Sequence, residues 1–292
     1  MRTDNDAALL ETLLASTEPR LRPGSAGLHL SDGDVRPWEQ EEARRLRRAE
    51  TTREPAPLLS HRHPKISLGN AYRIQWHGVA LRVADGARVV GHKVGLTSAA
   101  MQEQFGIDQP DSGLLLDYMA VTEDRALQLG DLVAPRVEGE LAFRLGADLS
   151  GADVGESAIR SAVAETFLVL EVIDSRYGFE GLTLADSVAD NAACGRFAPG
   201  AAVPGLVPDL GEEHLTLRVD GAVAASGFGR AILGDPIRSV AWLVHRLAAF
   251  GTGLRAGDVV LAGAVHASLP LGGGQTVAVS SPRLPQAVLH VA

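Results

Sequence analysis

Val137-Glu138-Gly139-Glu140-Leu141-Ala142-Phe143 and Phe167-Leu168-Val169-Leu170-Glu171-Val172-Ile173 are the two stretches on which the reading of this chain turns. In the first, apolar residues alternate with glutamates, as on a strand. Successive strand side chains point to opposite faces, so Glu138 and Glu140 share a face, roughly 7 Å apart along the chain. The second is a continuous apolar run of the kind a strand buried on both sides requires. A lone carboxylate inside it costs several kcal/mol unless it is paired, protonated or bound to a cation. Three carboxylates converging on one point repel, and a hard divalent cation relieves that repulsion. All-oxygen ligation favours magnesium, manganese or calcium over zinc. Two other arrangements satisfy the same residues: a solvent face for Glu138 and Glu140, and a buried salt bridge from Glu171 to Arg176.

Working outward, 292 residues suffice for one large or two modest domains. Apolar content of 46% with 22% charged residues is that of an ordinary globular chain. A net charge of −9 argues against nucleic acid as a partner, because phosphate binding needs a basic surface. The single Cys194 excludes an intrachain disulfide framework and fits a reducing cytoplasm. The first residues, Met1-Arg2-Thr3-Asp4-Asn5-Asp6, do not form a secretory signal, and the longest uncharged apolar stretches fall short of the ~20 residues of a membrane span. A cytoplasmic protein without membrane association is expected.

Residues 1–36 read as an N-terminal extension with a short helical pattern over 7–15, residues 37–87 as a helical region, and residues 88–292 as the main β domain. Helices are expected over 38–49 and from an N-cap at Ser67 to Gly86, their charged faces in solvent. Strands are expected over 88–93, 142–145 continuing the glutamate segment, 167–173, 215–219, 258–262 and 275–280. One helix interrupts them, with Asp235 as N-cap, Pro236 at N1 and Gly251 past its end. The 32 glycines suit a turn-rich β architecture.

Lys93 stands in Gly91-His92-Lys93-Val94-Gly95-Leu96-Thr97-Ser98, at the end of an apolar strand, where Thr97 or Ser98 caps a short helix running to Gly106. An ammonium beside free helix N–H groups makes an anion site, and a lysine whose pKa is lowered by desolvation also serves as acid or base. The alternative is an ordinary surface lysine after a strand. No Walker A sequence, H-E-x-x-H or G-x-S-x-G elbow is present.

Together with Gly106-Ile107-Asp108-Gln109-Pro110-Asp111-Ser112-Gly113, Pro135-Arg136 ahead of the glutamate segment, Asp174-Ser175-Arg176-Tyr177, Asp190-Asn191-Ala192 and Leu254-Arg255-Ala256-Gly257-Asp258-Val259-Val260-Leu261, these segments resemble the 2-keto-4-pentenoate hydratase and 4-oxalocrotonate decarboxylase family of the fumarylacetoacetate hydrolase superfamily. The resemblance covers roughly residues 38–292. It implies an α+β fold, a mixed β-roll with flanking helices, and magnesium or manganese held by Glu138, Glu140 and Glu171. It implies 2-oxo or 2-hydroxydienoic acid substrates from aromatic meta-cleavage and self-association into a homo-oligomer. Lys93 would move a proton, Asp111 would position water, and Gly95, Leu96, Thr97 and Asn191 would contact substrate. Hydration of a 2-hydroxypenta-2,4-dienoate-like acid leads; decarboxylation, acylpyruvate hydrolysis and a non-catalytic subunit are the competing readings. The chain departs from the family pattern at Ala193 and Cys194, where many relatives have serine, at Ala262-Gly263-Ala264 in place of threonine-glycine-serine, at Gly274-Gln275 in place of Gly-Asp, and in its leader.

Overall fold

A computed structural model describes residues 35–122 and 124–292; the helical pattern expected over 7–15 lies outside them. Among the described residues are ten strands of four or more residues: β1 (Val89–Gly95), β2 (Asp111–Leu116), β3 (Pro135–Leu145), β4 (Val163–Asp174), β5 (Cys194–Pro199), β6 (His214–Val219), β7 (Ala222–Phe228), β8 (Val259–Ala264), β9 (Thr276–Ser280) and β10 (Ala287–His290). The described residues also form seven α-helices: α1 (Pro37–Thr52), α2 (Leu59–Arg62), α3 (Leu68–Ala84), α4 (Ala99–Phe105), α5 (Glu156–Ala162), α6 (Leu184–Ala189) and α7 (Pro236–Ala248).

The main sheet runs β2-β1-β8-β3-β4-β5, with short strands Leu269–Pro270 and Val203–Pro204 added along β3 and β4. Its β1–β8 pair is parallel and the other pairs are antiparallel, so the sheet is mixed. A second sheet runs β10-β9-β6-β7. The α+β fold expected from the sequence is the one observed.

The two faces of β3 and β4 carry different chemistry. One face presents Val137, Leu141, Phe143, Leu168, Leu170 and Val172, which pack in one core with Leu215, Leu217, Val277 and Val279 of the second sheet. Helix α7 completes that core through Ile237, Val240, Leu243 and Val244. Its start follows the sequence signals: the Asp235 carboxylate accepts the Ile237 N–H at 2.9 Å and Pro236 occupies the first turn. The opposite face carries Ala142, Phe167, Val169 and Leu261 in a separate cluster, and the three glutamates.

Several expectations need correction. Helices α2, α5 and α6 and strands β2, β5, β7 and β10 are not among the elements the sequence pattern predicts. α6 had a legible start: Thr183 and Asp186 form a reciprocal capping box three residues apart. The charged face of α1 is also not simply wet. Glu39 is fully buried and accepts from Arg73 at 2.8 Å and Asn70 at 2.7 Å, while Glu42 is buried against Arg62 at 2.6 Å. Ion pairs from other helices cover that face, which local charge spacing does not show. Among the described residues, no helix is long and apolar enough to cross a membrane.

Candidate metal centre and pocket

β3 and β4 pair so that Glu138 stands directly opposite Glu171, with Glu140 opposite Val169. One carboxylate oxygen from each of Glu138, Glu140 and Glu171 lies within 4.8 Å of the others, and all three residues are buried. Neither a solvent face for Glu138 and Glu140 nor an Arg176 partner for Glu171 survives. Arg176 instead pairs with Asp190, its Nε 2.6 Å from Oδ1 and its backbone N–H 2.8 Å from Oδ2. The cation nearest Glu171 in the ion pairs is Lys93, Nζ to Oε1 3.6 Å.

Neighbours bind little of the trio's lone-pair capacity. Glu140 Oε2 accepts the Gly263 N–H at 2.8 Å. Glu138 Oε1 and both oxygens of Glu171 have no hydrogen-bond partner. Buried carboxylate oxygens without hydrogen-bond donors are costly unless a cation or a proton engages them, and Lys93 at 3.6 Å engages only one of the three. Burial and then the Glu171 charge push the Glu138 carboxyl up to about 8. Burial, Glu171 and Glu138 hold Glu140 well above the usual carboxylate range. Glu171 is also raised by burial, with Lys93 opposing. Three hard oxygen donors of this kind fit a divalent cation.

Lys93 departs from the expected direction. Burial alone would discharge its ammonium, but Glu171 and then Asp111 outweigh burial and raise its pKa. The side chain is thus a proton-loaded cation between carboxylates. Asp111 approaches Lys93 because Gly95 has no side chain: a Cβ there would lie 2.3 Å from Asp111 Oδ1 and 3.0 Å from Lys93 Nζ. Register supports the same grouping, with Lys93 opposite Gly113 and Gly95 opposite Asp111 across β1 and β2.

One pocket is lined by Lys93, Asp111, Glu138, Gly95 and Leu96 among others. Thr97 and Asn191 are not in its lining. Thr97 is buried with its hydroxyl unpartnered, and a Cβ on Gly263 would fall 1.9 Å from that Oγ1. Asn191 spends its side-chain amide on Leu114, accepting the N–H at 2.8 Å and donating to the carbonyl at 2.9 Å. It holds β2 rather than offering its amide to the pocket. Asn191, Ala192 and Ala193 all have φ between 51° and 55°, a left-handed run that places Ala192 and Ala193 in the pocket wall.

Ser187 of α6 is not among the residues that the sequence singles out. It lines the pocket, and its hydroxyl donates to Asp111 Oδ2 at 2.5 Å, leaving Oδ1 without a partner. The only sequence signal was its place on a capped helix; its contact lies 76 positions away.

The Fumarylacetoacetate (FAA) hydrolase C-terminal family matches residues 93–292. This chain belongs to the fumarylacetoacetate hydrolase superfamily, within its 2-keto-4-pentenoate hydratase and 4-oxalocrotonate decarboxylase family. It is 40% identical over 225 residues to the 2-keto-4-pentenoate hydratase of Paraburkholderia phymatum, covering 76% of this chain and 86% of that one. It is 38% identical over 223 residues to the 2-hydroxyhexa-2,4-dienoate hydratase of Comamonas testosteroni, covering 75% and 84%. Among solved structures it superposes on the 4-oxalocrotonate decarboxylase of Pseudomonas putida G7, complexed with magnesium and adipate. There the TM-score is 0.82 at 29% identity, over 87% of this chain and 97% of that one.

Proposed function

We propose that this protein is a metal-dependent hydro-lyase that adds water to 2-hydroxypenta-2,4-dienoate-like acids, giving a 4-hydroxy-2-oxo acid in aromatic catabolism. The observation that carries the reading is that one pocket is lined by Lys93, Asp111 and Glu138, the last a member of an under-bonded carboxylate trio, in a chain 40% identical to a 2-keto-4-pentenoate hydratase. Glu138, Glu140 and Glu171 would hold Mg2+ or Mn2+, which would supply a Lewis-acidic positive centre for the acid end of the substrate and neutralise the trio's charge.

The protein's own groups then handle protons and water. Lys93 holds a proton beside the pocket, delivers it to C5 and takes the dienol's hydroxyl proton in return, which leaves the conjugated 2-oxo acid and restores the ammonium. Asp111, fixed by Ser187 and with Oδ1 unengaged, orients a water for attack at C4. The new C4–O bond forms as the water gives up one proton to Asp111, and that proton passes on to C3, so both atoms of the added H–OH come from the one water. Gly95 and Leu96 shape the wall against which the substrate lies. The enzyme works in the cytoplasm as a homo-oligomer.

The test follows dienoate absorbance with magnesium supplied: steady loss is expected, abolished by chelation and by Glu171→Gln. No loss with either metal overturns the reading. The likeness to a decarboxylase at TM-score 0.82 favours a second reading, decarboxylation of a 4-oxalocrotonate-type acid. Carbon dioxide release from that dicarboxylate, without water addition to the monocarboxylate, would support it.

A further inference from the structure

Gln75 stands on α3, ahead of the residues 93–292 that match the family, and outside the pocket lining. Its side chain is polar and the residue is only 2% exposed, so the carboxamide must find its partners inside the protein. Nε2 carries two N–H groups and spends them on two different elements. It donates to the Ser112 carbonyl of β2 at 2.7 Å and to the Val188 carbonyl of α6 at 2.9 Å. Ser112 follows Asp111 in the chain, and Val188 follows Ser187. One side chain thus joins the two backbones immediately beside the contact in the pocket, Ser187 Oγ to Asp111 Oδ2 at 2.5 Å.

β2 ends the strand order of the main sheet, so its outer backbone groups face no further strand. Two carboxamides serve them instead: Gln75 holds the Ser112 carbonyl, and Asn191 holds both backbone groups of Leu114. Asp111 is the first residue of β2, next to the Gln75 end of this edge. α3 also packs on α6 through Ala71, Ile74, Val188 and Ala189, but apolar contact is non-directional and does not by itself set the rotation of α6. Paired hydrogen bonds do. Resting on the hydratase reading, we propose that Gln75 is a positioning residue for water addition: by tying β2 to α6 it sets the Ser187–Asp111 contact, and through it the aim of Asp111.

The experiment compares the magnesium-loaded full chain with Gln75→Met, which keeps the side chain's length and loses both donors. With 2-hydroxypenta-2,4-dienoate, kcat should fall ~10- to 100-fold while KM changes little. In a Ser187→Ala background the same substitution should cost less than about threefold, because the contact it acts through is already gone. Losses that multiply in full overturn the proposal. Leu46→Ala, in the apolar cluster that α1 and α3 share, controls for stability: Tm falls and kcat holds. An equal loss of kcat in that control shows that rate merely follows stability, and counts against the proposal. Gln75→Asn, its carboxamide one methylene shorter, is read in the same way where the methionine variant does not fold. Crystal structures of parent and variant give a readout apart from turnover: the Ser187–Asp111 separation should open beyond about 3.5 Å. An unchanged contact overturns the proposal whatever the activity, whereas a parent that hydrates no dienoate removes the hydratase reading alone.

Discussion

Glu138 and Glu171 are direct cross-strand partners, one on β3 and one on β4, both buried on the same sheet face. Like charges directly opposite each other destabilise a sheet, and burial magnifies the cost. Retaining such a pair beside Glu140 makes sense where a cation occupies the centre of the three.

The cost of the trio gives the first prediction. Glu140 is held well above the usual carboxylate range by burial and by its two neighbours, so a neutral amide suits its site when no metal is present. Glu140→Gln keeps an acceptor for the Gly263 N–H and should leave chelator-treated protein as stable as the parent, or more so. The parent should gain about 3 kcal/mol of stability at magnesium a hundredfold above its Kd, and the variant little of it. Thermal unfolding with and without magnesium measures both; an undiminished magnesium gain in Glu140→Gln would remove Glu140 from the ligand set.

Lys93→Met should lower kcat by ~10²–10⁴-fold, the usual worth of a positioned proton carrier. The magnesium-induced rise in Tm should persist, since the carboxylates remain. A variant that loses metal binding and rate together would make Lys93 a structural counter-ion to Glu171 instead.

Ser187→Ala removes the hydroxyl that fixes Asp111. A hydrogen bond to a charged group is worth roughly 1.5–3 kcal/mol, so kcat should fall by about 10- to 100-fold with KM little changed. Ser187→Thr, which restores the hydroxyl, should recover much of the rate. Equal losses of Tm in both variants with unchanged kcat would show a packing role only.

Gly95→Ala asks whether the close approach of Asp111 and Lys93 matters. The new methyl would meet Asp111 Oδ1 at 2.3 Å, and one of the two groups must move. Turnover should drop at least ~100-fold, because displacement by about 1 Å is enough for that loss. Steady-state kinetics on the folded variant decides it.

Glu50 sets a pH dependence remote from the pocket. Burial disfavours its charge, but Arg82, Arg176 and Arg47 outweigh burial and hold it down to about 2, against 4.5 when unperturbed. Arg82 Nη2 lies 2.5 Å away and Arg47 Nη1 3.1 Å. A depressed folded pKa gives stability that is full above 4.5 and lost as pH falls from 4.5 through about 2. Glu50→Gln should cost at most about 3 kcal/mol at neutral pH and flatten that acid limb. Urea unfolding midpoints between pH 7 and pH 2.5 measure it; parallel curves for parent and variant would contradict the assignment.

Local patterns carried much of the architecture. Alternation put Glu138 and Glu140 on one face because strand period is set by the backbone itself. The N-cap at Ser67 and the Asp235-Pro236 start were legible because a cap acts within one turn. Pairings between distant segments were not legible. The burial of Glu39 and Glu42 depends on Arg73 and Arg62 from other helices. The release of Glu171 from Arg176 depends on where Asp190 comes to lie.

By itself, the sequence determined that Glu138 and Glu140 share one strand face, that Glu171 stands in a run too apolar for a free carboxylate, and that a lysine closes an apolar strand. Those are properties of neighbours along the chain. Only the tertiary structure decided that Glu171 stands in register with Glu138 and that Lys93 is charged up rather than discharged. It also decided that Ser187 orients Asp111. Each depends on strand register or on contacts between segments far apart in sequence, and the energy of such contacts exists only once the chain has closed on itself.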